Sequence, residues 1–454
     1  MKLLESKIFD GINLILEYFQ NKLEQVQKSS FLLSNIDFFV LISIVATYIF
    51  STFAQTGIIG AISFFVPIFV VAKVLLTKGE KIELEKCNFF LLLYLIICFI
   101  TNFTSSMPIQ SLYGFMKTLI YFAFYFALCQ FLKNNKKYIV LLLFVISSLV
   151  SIESVIGLIQ NSVGVANIAT WQDTSYVNPE HVLSRVYGTL QPYNPNLFGG
   201  YLIVGISSII AIATLCFKNK QFKLGIISLV CFLISSLAIF LTGCRGAYLA
   251  LFVMIIGLIL ASYQVIFYDF KNTKLQKLWK TLIAFCGVGG VFFMALNQGI
   301  FKRLMSIFIL RGDSSTSFRM NVYNSAIQMF QDNWLCGIGV GNKVFREIYG
   351  LYMLSGFDAL SCYCVFLEMA VESGVLALIA YLLFIGTLLL NGVKKFLNSN
   401  DIRYKVLLFV TFISIVSVMF HGLFDTIYFR PQIQYIFWTM AAILTVLVRE
   451  EKAE

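Results

Sequence analysis

The chain has 454 residues, of which 59% are hydrophobic and only 13% charged, with 46 Phe and a formal charge of +11; its mean hydropathy is +0.84. Soluble domains carry about 25% charged residues and about 45–50% apolar ones, so this composition excludes a soluble enzyme, a disordered chain and a nucleic-acid binder. The cations stand in short runs between long apolar stretches, the pattern of a polytopic membrane protein.

Residues 1–37 precede the first long apolar run. Leu3, Leu4, Ile8, Phe9, Ile12, Ile15, Leu16 and Phe19 recur at helical spacing among charges of both signs. This reads as an amphipathic helix lying on the cytoplasmic membrane surface, or docked on protein; it lacks the continuous apolar core of a cleavable signal peptide. Runs of about 17 to 25 apolar residues then predict some twelve spans, at 38–54, 56–72, 88–104, 112–132, 138–160, 197–217, 224–242, 246–268, 281–299, 365–390, 406–427 and 431–448. They lack the strict alternation of outer-membrane barrel strands. The expected fold is all-α: a transmembrane helical bundle. Nine spans fall in 38–299 with an outer loop at 161–196, a long and partly helical outer loop occupies 300–364, three spans fall in 365–448, and 449–454 is a tail.

Of the 34 Lys and Arg, 24 lie in segments that this topology puts on one side and nine on the other. Cytoplasmic loops accumulate cations, so both termini are expected in the cytoplasm. The kind of cation also differs. Seven of the nine Arg fall at the outer face: Arg185, Arg245, Arg303, Arg311, Arg319, Arg346 and Arg430. Lys suffices as a point charge for topology, whereas Arg grips carboxylate, phosphate and other planar oxyanions with two parallel N–H groups. Arg185, Arg245, Arg311, Arg319 and Arg430 are therefore candidates for an anion site; salt bridges to Asp173, Glu180, Asp313, Glu347 and Asp358 are the alternative use.

Ionisable groups within the spans cost free energy and mark functional positions or ion pairs that hold helices together. Here they are Lys117, Glu153, the one-turn pair Glu368 and Glu372, and His421 with Asp425, all in the outer half of the bilayer. In the second outer loop, Asp313, Ser314 and Ser315 are helix-capping residues, and Phe318, Val322, Ala326 and Phe330 follow at helical spacing. A helix starting there between Arg311 and Arg319 would offer free N–H groups to an anion. Gly337-Ile338-Gly339-Val340-Gly341-Asn342 lacks the strand–turn–helix context of a dinucleotide fingerprint and reads as a compact turn on the membrane domain. Asn194-Pro195-Asn196 is a turn leading into a span. Cys244, Cys336, Cys362 and Cys364 lie at the outer face, where disulfides are permitted. His181 and His421 are the only histidines, no residues have metal-ligand spacing, and no cofactor is expected.

Several of these elements together resemble the O-antigen ligase and polymerase-related membrane superfamily. They are Asn194-Pro195-Asn196, Thr242-Gly243-Cys244-Arg245-Gly246-Ala247, Arg319 with Trp334, and the glycine run 337–342. Ala359-Leu360-Ser361-Cys362-Tyr363, Leu367-Glu368-Met369-Ala370-Val371-Glu372-Ser373-Gly374, and His421-Gly422-Leu423-Phe424-Asp425 with Arg430-Pro431-Gln432 are similar to the IctB family, named for inorganic-carbon (bicarbonate) transport. The resemblance covers about 180–440 and implies a multi-pass protein of a bacterial cytoplasmic membrane. Its ligase branch implies metal-independent transfer of glycan from an isoprenoid pyrophosphate, with Arg holding the pyrophosphate and a loop His preceding the span-ten Glu. That place reads Leu360-Ser361-Cys362-Tyr363 here, without imidazole, so the candidates for a base are Glu368 and Asp358. Asn194, Asn196, Glu372, His421 and Asp425 are expected to support the site. Three functions are then open: an anion-capturing transport protein for bicarbonate, a glycosyltransferase on a lipid-linked glycan, and a structural subunit of a membrane complex. The expected partners are membrane lipid and either a small anion or a lipid-linked pyrophosphate, with no nucleic acid.

Overall fold

The computed structural model describes residues 2–82, 85–164, 185–296, 314–354, 356 and 358–449. Among them regular structure is helical throughout, with no strand. Eleven helices among these residues are long and apolar enough to cross a membrane: Ile36–Phe53, Thr56–Leu76, Lys86–Thr104, Pro108–Asn134, Lys136–Val163, Pro195–Lys218, Phe222–Leu241, Arg245–Phe270, Val365–Asn398, Ile402–His421 and Pro431–Val448. The chain is a polytopic all-α membrane protein.

Two expected spans are corrected. The run 281–299 is the latter part of a helix Thr273–Leu296, and 297–299 lie outside the described residues. This helix is not among the eleven, yet the ends it joins require a crossing. Asp269, at the end of the Arg245–Phe270 helix, pairs with Lys405 at one end of the bundle. Arg319 contacts Asp425 at the other, so the chain returns in between. The run 406–427 is shorter than expected. Its helix stops at His421, so Asp425 stands in the connection beyond, free to reach sideways.

Within lipid, apolar burial gives no drive for helix association; close packing of small residues and polar contacts do. The most enclosed helices are Pro431–Val448 and Pro195–Lys218, whereas Arg245–Phe270 is mostly exposed. Gly205 shows why the second can sit at the centre: a Cβ there would come 2.4 Å from Val150 Cγ2. Hydroxyls join the layers, with Tyr48 Oη 2.8 Å from Thr439 Oγ1, Tyr201 Oη 2.9 Å from Thr52 Oγ1, and Ser414 donating to the Val204 carbonyl at 2.6 Å.

The lysine-rich end is held by charge. Lys73 bridges Asp37 at 2.7 Å and Glu80 at 3.3 Å, Lys218 pairs with Asp401 at 3.0 Å, and Arg449 with Glu85 at 3.2 Å. Here the amphipathic helix Lys2–Ser29 docks on protein. Asn13 exchanges two hydrogen bonds with the backbone of Ile82, at 3.2 and 2.9 Å. Two turns on, Gln20 donates to the carbonyls of Val74 and Glu80 and accepts from Gly79 N–H. Leu14, Ile15 and Tyr18 remain exposed on this helix.

At the opposite end the glycine run forms the compact turn its sequence predicts, wedged into a broken membrane helix. Gly374 adopts φ +80° inside Val365–Asn398, which interrupts the helical ladder. Val375 N–H turns to the Trp334 carbonyl at 2.8 Å, while the carbonyls of Val371 and Glu372 accept from Ile338 and Gly339 at 2.9 and 3.0 Å. The loop thus satisfies the backbone groups that the break releases, a requirement at membrane depth. A Cβ on Gly374 would lie 2.1 Å from the Leu335 carbonyl oxygen, so only glycine fits.

Candidate functional site

The candidate site is assembled from helix ends and the connections beside them. Asn194 caps the Pro195–Lys218 helix, its Oδ1 accepting from Asn196 N–H at 2.8 Å and Leu197 N–H at 3.4 Å; Pro195 at the first helical position has no N–H to satisfy. The cap fixes the next side chain. Asn196 Oδ1 accepts from Arg185 Nη2 at 2.6 Å, and Asn196 Nδ2 donates to Asp425 Oδ2 at 2.9 Å. Arg185 Nε donates at 2.8 Å to the carbonyl of Thr242, one of the unpaired acceptors at the end of the Phe222–Leu241 helix.

Arg319 reaches the same carboxylate from the second outer loop. It lies in the helix Ser314–Asp332, which the capping residues predicted. Its Nη2 is 3.6 Å from Asp425 Oδ2, its Nη1 donates to the Phe424 carbonyl at 3.0 Å, and its guanidinium stands 5.2 Å from the centre of the Tyr363 ring. Asp425 Oδ1 also accepts from Thr426 N–H at 2.7 Å. One guanidinium, Arg319, thus meets a mostly buried carboxylate directly and a second, Arg185, is linked to it through the Asn196 amide, with Arg245 three residues beyond the carbonyl that holds Arg185. This gathering of guanidinium groups around one carboxylate places three of the five Arg candidates for an anion site in one region of the fold.

Beside it, the loop 360–363 is pinned over the start of the Val365–Asn398 helix. Ser361 Oγ is 2.5 Å from Thr426 Oγ1, and Cys362 N–H donates to Glu368 Oε2 at 3.1 Å. Glu368 and Glu372 are both buried, and Arg430 is the cation among the charged neighbours of Glu368. Burial, then the charges of Glu368 and Glu372, push the Cys362 thiol well up, so it stays protonated near neutrality and supplies no base. One helical turn before Asp425, buried His421 places Nε2 3.4 Å from Cys244 Sγ, and its Nδ1 has no partner among the described residues.

Other sequence candidates lie elsewhere, except Arg430, whose charge reaches Glu368. Asp358 forms an exposed ion pair with Arg346, apart from the buried Glu368. Glu153 accepts from Thr189 N–H at 2.9 Å and from the Thr189 hydroxyl, tying down the segment that carries Arg185. Arg430 is exposed at the start of the last helix. Arg303, Arg311 and Asp313, and with them the anion site expected between Arg311 and Arg319, lie outside the described residues, as do Asp173, Glu180 and His181. The sequence reading missed the roles of Tyr363, Thr242 and Phe424. All three stand inside quoted motifs, but Thr242 and Phe424 act through their carbonyls, which no side-chain pattern reports.

Residues 230–382 match the family described as O-antigen ligase. Over this stretch the chain is O-antigen ligase-like. The ligase-like region contains Arg245, Arg319, Glu368, Glu372 and the glycine turn. Arg185, Asn196, His421 and Asp425 lie outside the matched residues and are brought to the region by folding. No curated protein matches the chain.

Proposed function

We propose that the Asp425-centred cluster is an outer-face oxyanion site, and that its ligand is the pyrophosphate of an isoprenoid-linked glycan in a bacterial cytoplasmic membrane. The observation that carries this reading is that Arg319 meets the Asp425 carboxylate directly and Arg185 is joined to it through the Asn196 amide, near the buried Glu368, within and next to the ligase-like region. In the transfer, an acceptor hydroxyl forms the new bond to the anomeric carbon while the bond from that carbon to the pyrophosphate oxygen breaks. The electron pair leaves with the isoprenoid pyrophosphate, whose charge Arg185, Arg245 and Arg319 neutralise. The hydroxyl proton passes to a carboxylate, for which Glu368 is the candidate. Membranes lacking the protein are expected to accumulate the isoprenoid-linked glycan, and Arg319→Ala and Glu368→Gln to reproduce the accumulation; unchanged lipid pools in all three overturn the reading.

A second reading, capture of bicarbonate in the manner named for the IctB family, is favoured by one observation: residues 360–363 carry no imidazole, and the Cys362 thiol there is held protonated. A trigonal carboxylate-like anion suits paired guanidinia as well as a phosphate does. Proteoliposomes that accumulate labelled bicarbonate, and lose this with Arg319→Ala, would establish transport; passive vesicles exclude it.

A further inference from the structure

The height of the glycine turn along the membrane normal follows from the helices that hold it. Helix Lys86–Thr104 has 19 residues, about 28 Å at a rise of about 1.5 Å per residue. The residue after it, Ser105, donates to the Ile338 carbonyl at 2.7 Å. Val375 N–H, bonded to the Trp334 carbonyl at 2.8 Å, is likewise about 28 Å along its helix from Lys394. Ser111, which accepts from Val340 N–H at 2.8 Å, is about 33 Å from Lys133. A hydrocarbon layer is about 30 Å thick. Measured from the lysine-rich end, three helices therefore put residues 334–340 at the far edge of that layer. Trp334 and Leu335 are 54% and 45% exposed there. We propose that Trp334 and Leu335 insert into the leaflet opposite the lysine-rich end, so that lipid covers them and anchors the end of the helix that carries Arg319.

Polarity changes along the segment as this depth requires. Gln331 and Asp332 are exposed, and Asp332 accepts from the Tyr352 hydroxyl at 2.8 Å. From Asn333 through Val340 no residue is charged. An indole at such a boundary keeps its ring in hydrocarbon and its N–H toward water. The backbone of the turn is suited to the same place. Gly337, Ile338, Gly339 and Val340 are buried. Gly337 N–H reaches the Asn333 carbonyl at 2.8 Å, and the N–H groups of Ile338, Gly339 and Val340 and the carbonyls of Trp334 and Ile338 are all paired, the condition for non-helical backbone at membrane depth. Phe103 and Leu376, on two of the helices that hold the turn, are exposed as well and continue the apolar surface. The helix Ser314–Asp332 ends two residues before Trp334, so the anchor sets the height of that end whichever anion the site takes.

The test is tryptophan fluorescence of the full-length protein in phosphatidylcholine nanodiscs, with bromine on one acyl chain either close to the headgroup or at mid-chain. Bromine quenches an indole that it touches. The chain has four Trp, so the difference between wild type and Trp334→Phe isolates the one in question. That difference signal should lose most of its intensity with the shallow bromines, less with the mid-chain ones, and little to iodide in the water. Leu335→Trp in the Trp334→Phe background should follow the same order, which keeps the test decisive if the indole at position 334 emits weakly. Quenching by iodide and by neither bromine would place the segment in water. Protection from all three would place it under protein, as a second copy of the chain would, and stronger quenching at mid-chain would place it deeper. Each of these overturns the proposal.

Discussion

Asn196 and Asp425 stand 229 residues apart in the chain, yet the amide nitrogen of one lies 2.9 Å from the carboxylate of the other. Through its oxygen the same amide holds Arg185 at 2.6 Å. A side-chain amide can bond a guanidinium and a carboxylate at once, because it carries both an acceptor and donors.

Replacing Asn196 with Ala leaves Arg185 Nη2 and a mostly buried Asp425 oxygen short of a partner. The expected loss is roughly 1–3 kcal/mol, read as a lower unfolding temperature in detergent. Asn196→Asp should be worse, since it sets two carboxylates against each other. Adding Asp425→Asn to it restores one amide and one acid, so the double variant should regain stability; a double variant no better than Asn196→Asp would show that the pair does not couple.

Gly374 and Gly386 lie in one helix and should respond oppositely to Ala. At Gly374 the φ of +80° and a backbone carbonyl oxygen 2.1 Å from where the added methyl carbon would stand make the change costly, by more than about 1 kcal/mol. Gly386 has nothing within 4 Å of that position, so Gly386→Ala should be neutral or stabilising by up to about 1 kcal/mol. Expression and thermal unfolding of the two variants decide it.

Asp401 caps the Ile402–His421 helix, accepting from Arg403 and Tyr404 N–H groups. Its hydrogen bond to Lys218 holds the carboxyl below its ordinary value, the helix N–H groups adding to this. A lowered carboxyl stabilises the fold above its unfolded-state value, and this contribution fades as pH falls through the folded one. Asp401→Asn keeps a capping oxygen and removes the charge, so its unfolding temperature should lose part of the wild-type decline on acidification. Asp401→Ala should cost about 1 kcal/mol near neutrality. Parallel acid titrations of the three proteins would test the assignment.

Burial, followed by the charge of Asp425, pushes the Cys244 thiol up to about 11. In a variant with Cys244 as the sole cysteine, maleimide labelling of the folded protein should be slow at pH 7–8 and accelerate steeply toward pH 11, since the thiolate is the nucleophile. Asp425→Asn removes the charge that disfavours the thiolate and should speed labelling at fixed pH. A rate indifferent to pH and to this substitution would place Cys244 outside the influence of Asp425.

Much of the molecule was legible before folding was considered. Span lengths, the division of Lys from Arg between the faces, the helix beginning at Ser314 and the compact glycine turn depend on local properties: a hydrocarbon layer selects runs of a given length, caps select short polar side chains, and positive φ selects glycine. Each such signal lies within a few residues of what it specifies. The partner of a charge does not. Arg185, Asn196, Arg319 and Asp425 come from four separate stretches of the chain, and only the packing order of the helices they flank decides that they meet while Arg346 turns to Asp358. The same holds for Asn13 and Gln20, which make the N-terminal helix a docked element rather than one merely resting on lipid. Hydropathy and periodicity sum over neighbours in sequence, whereas a hydrogen bond is decided by fractions of an ångström between residues far apart in it, and for that the tertiary structure alone suffices.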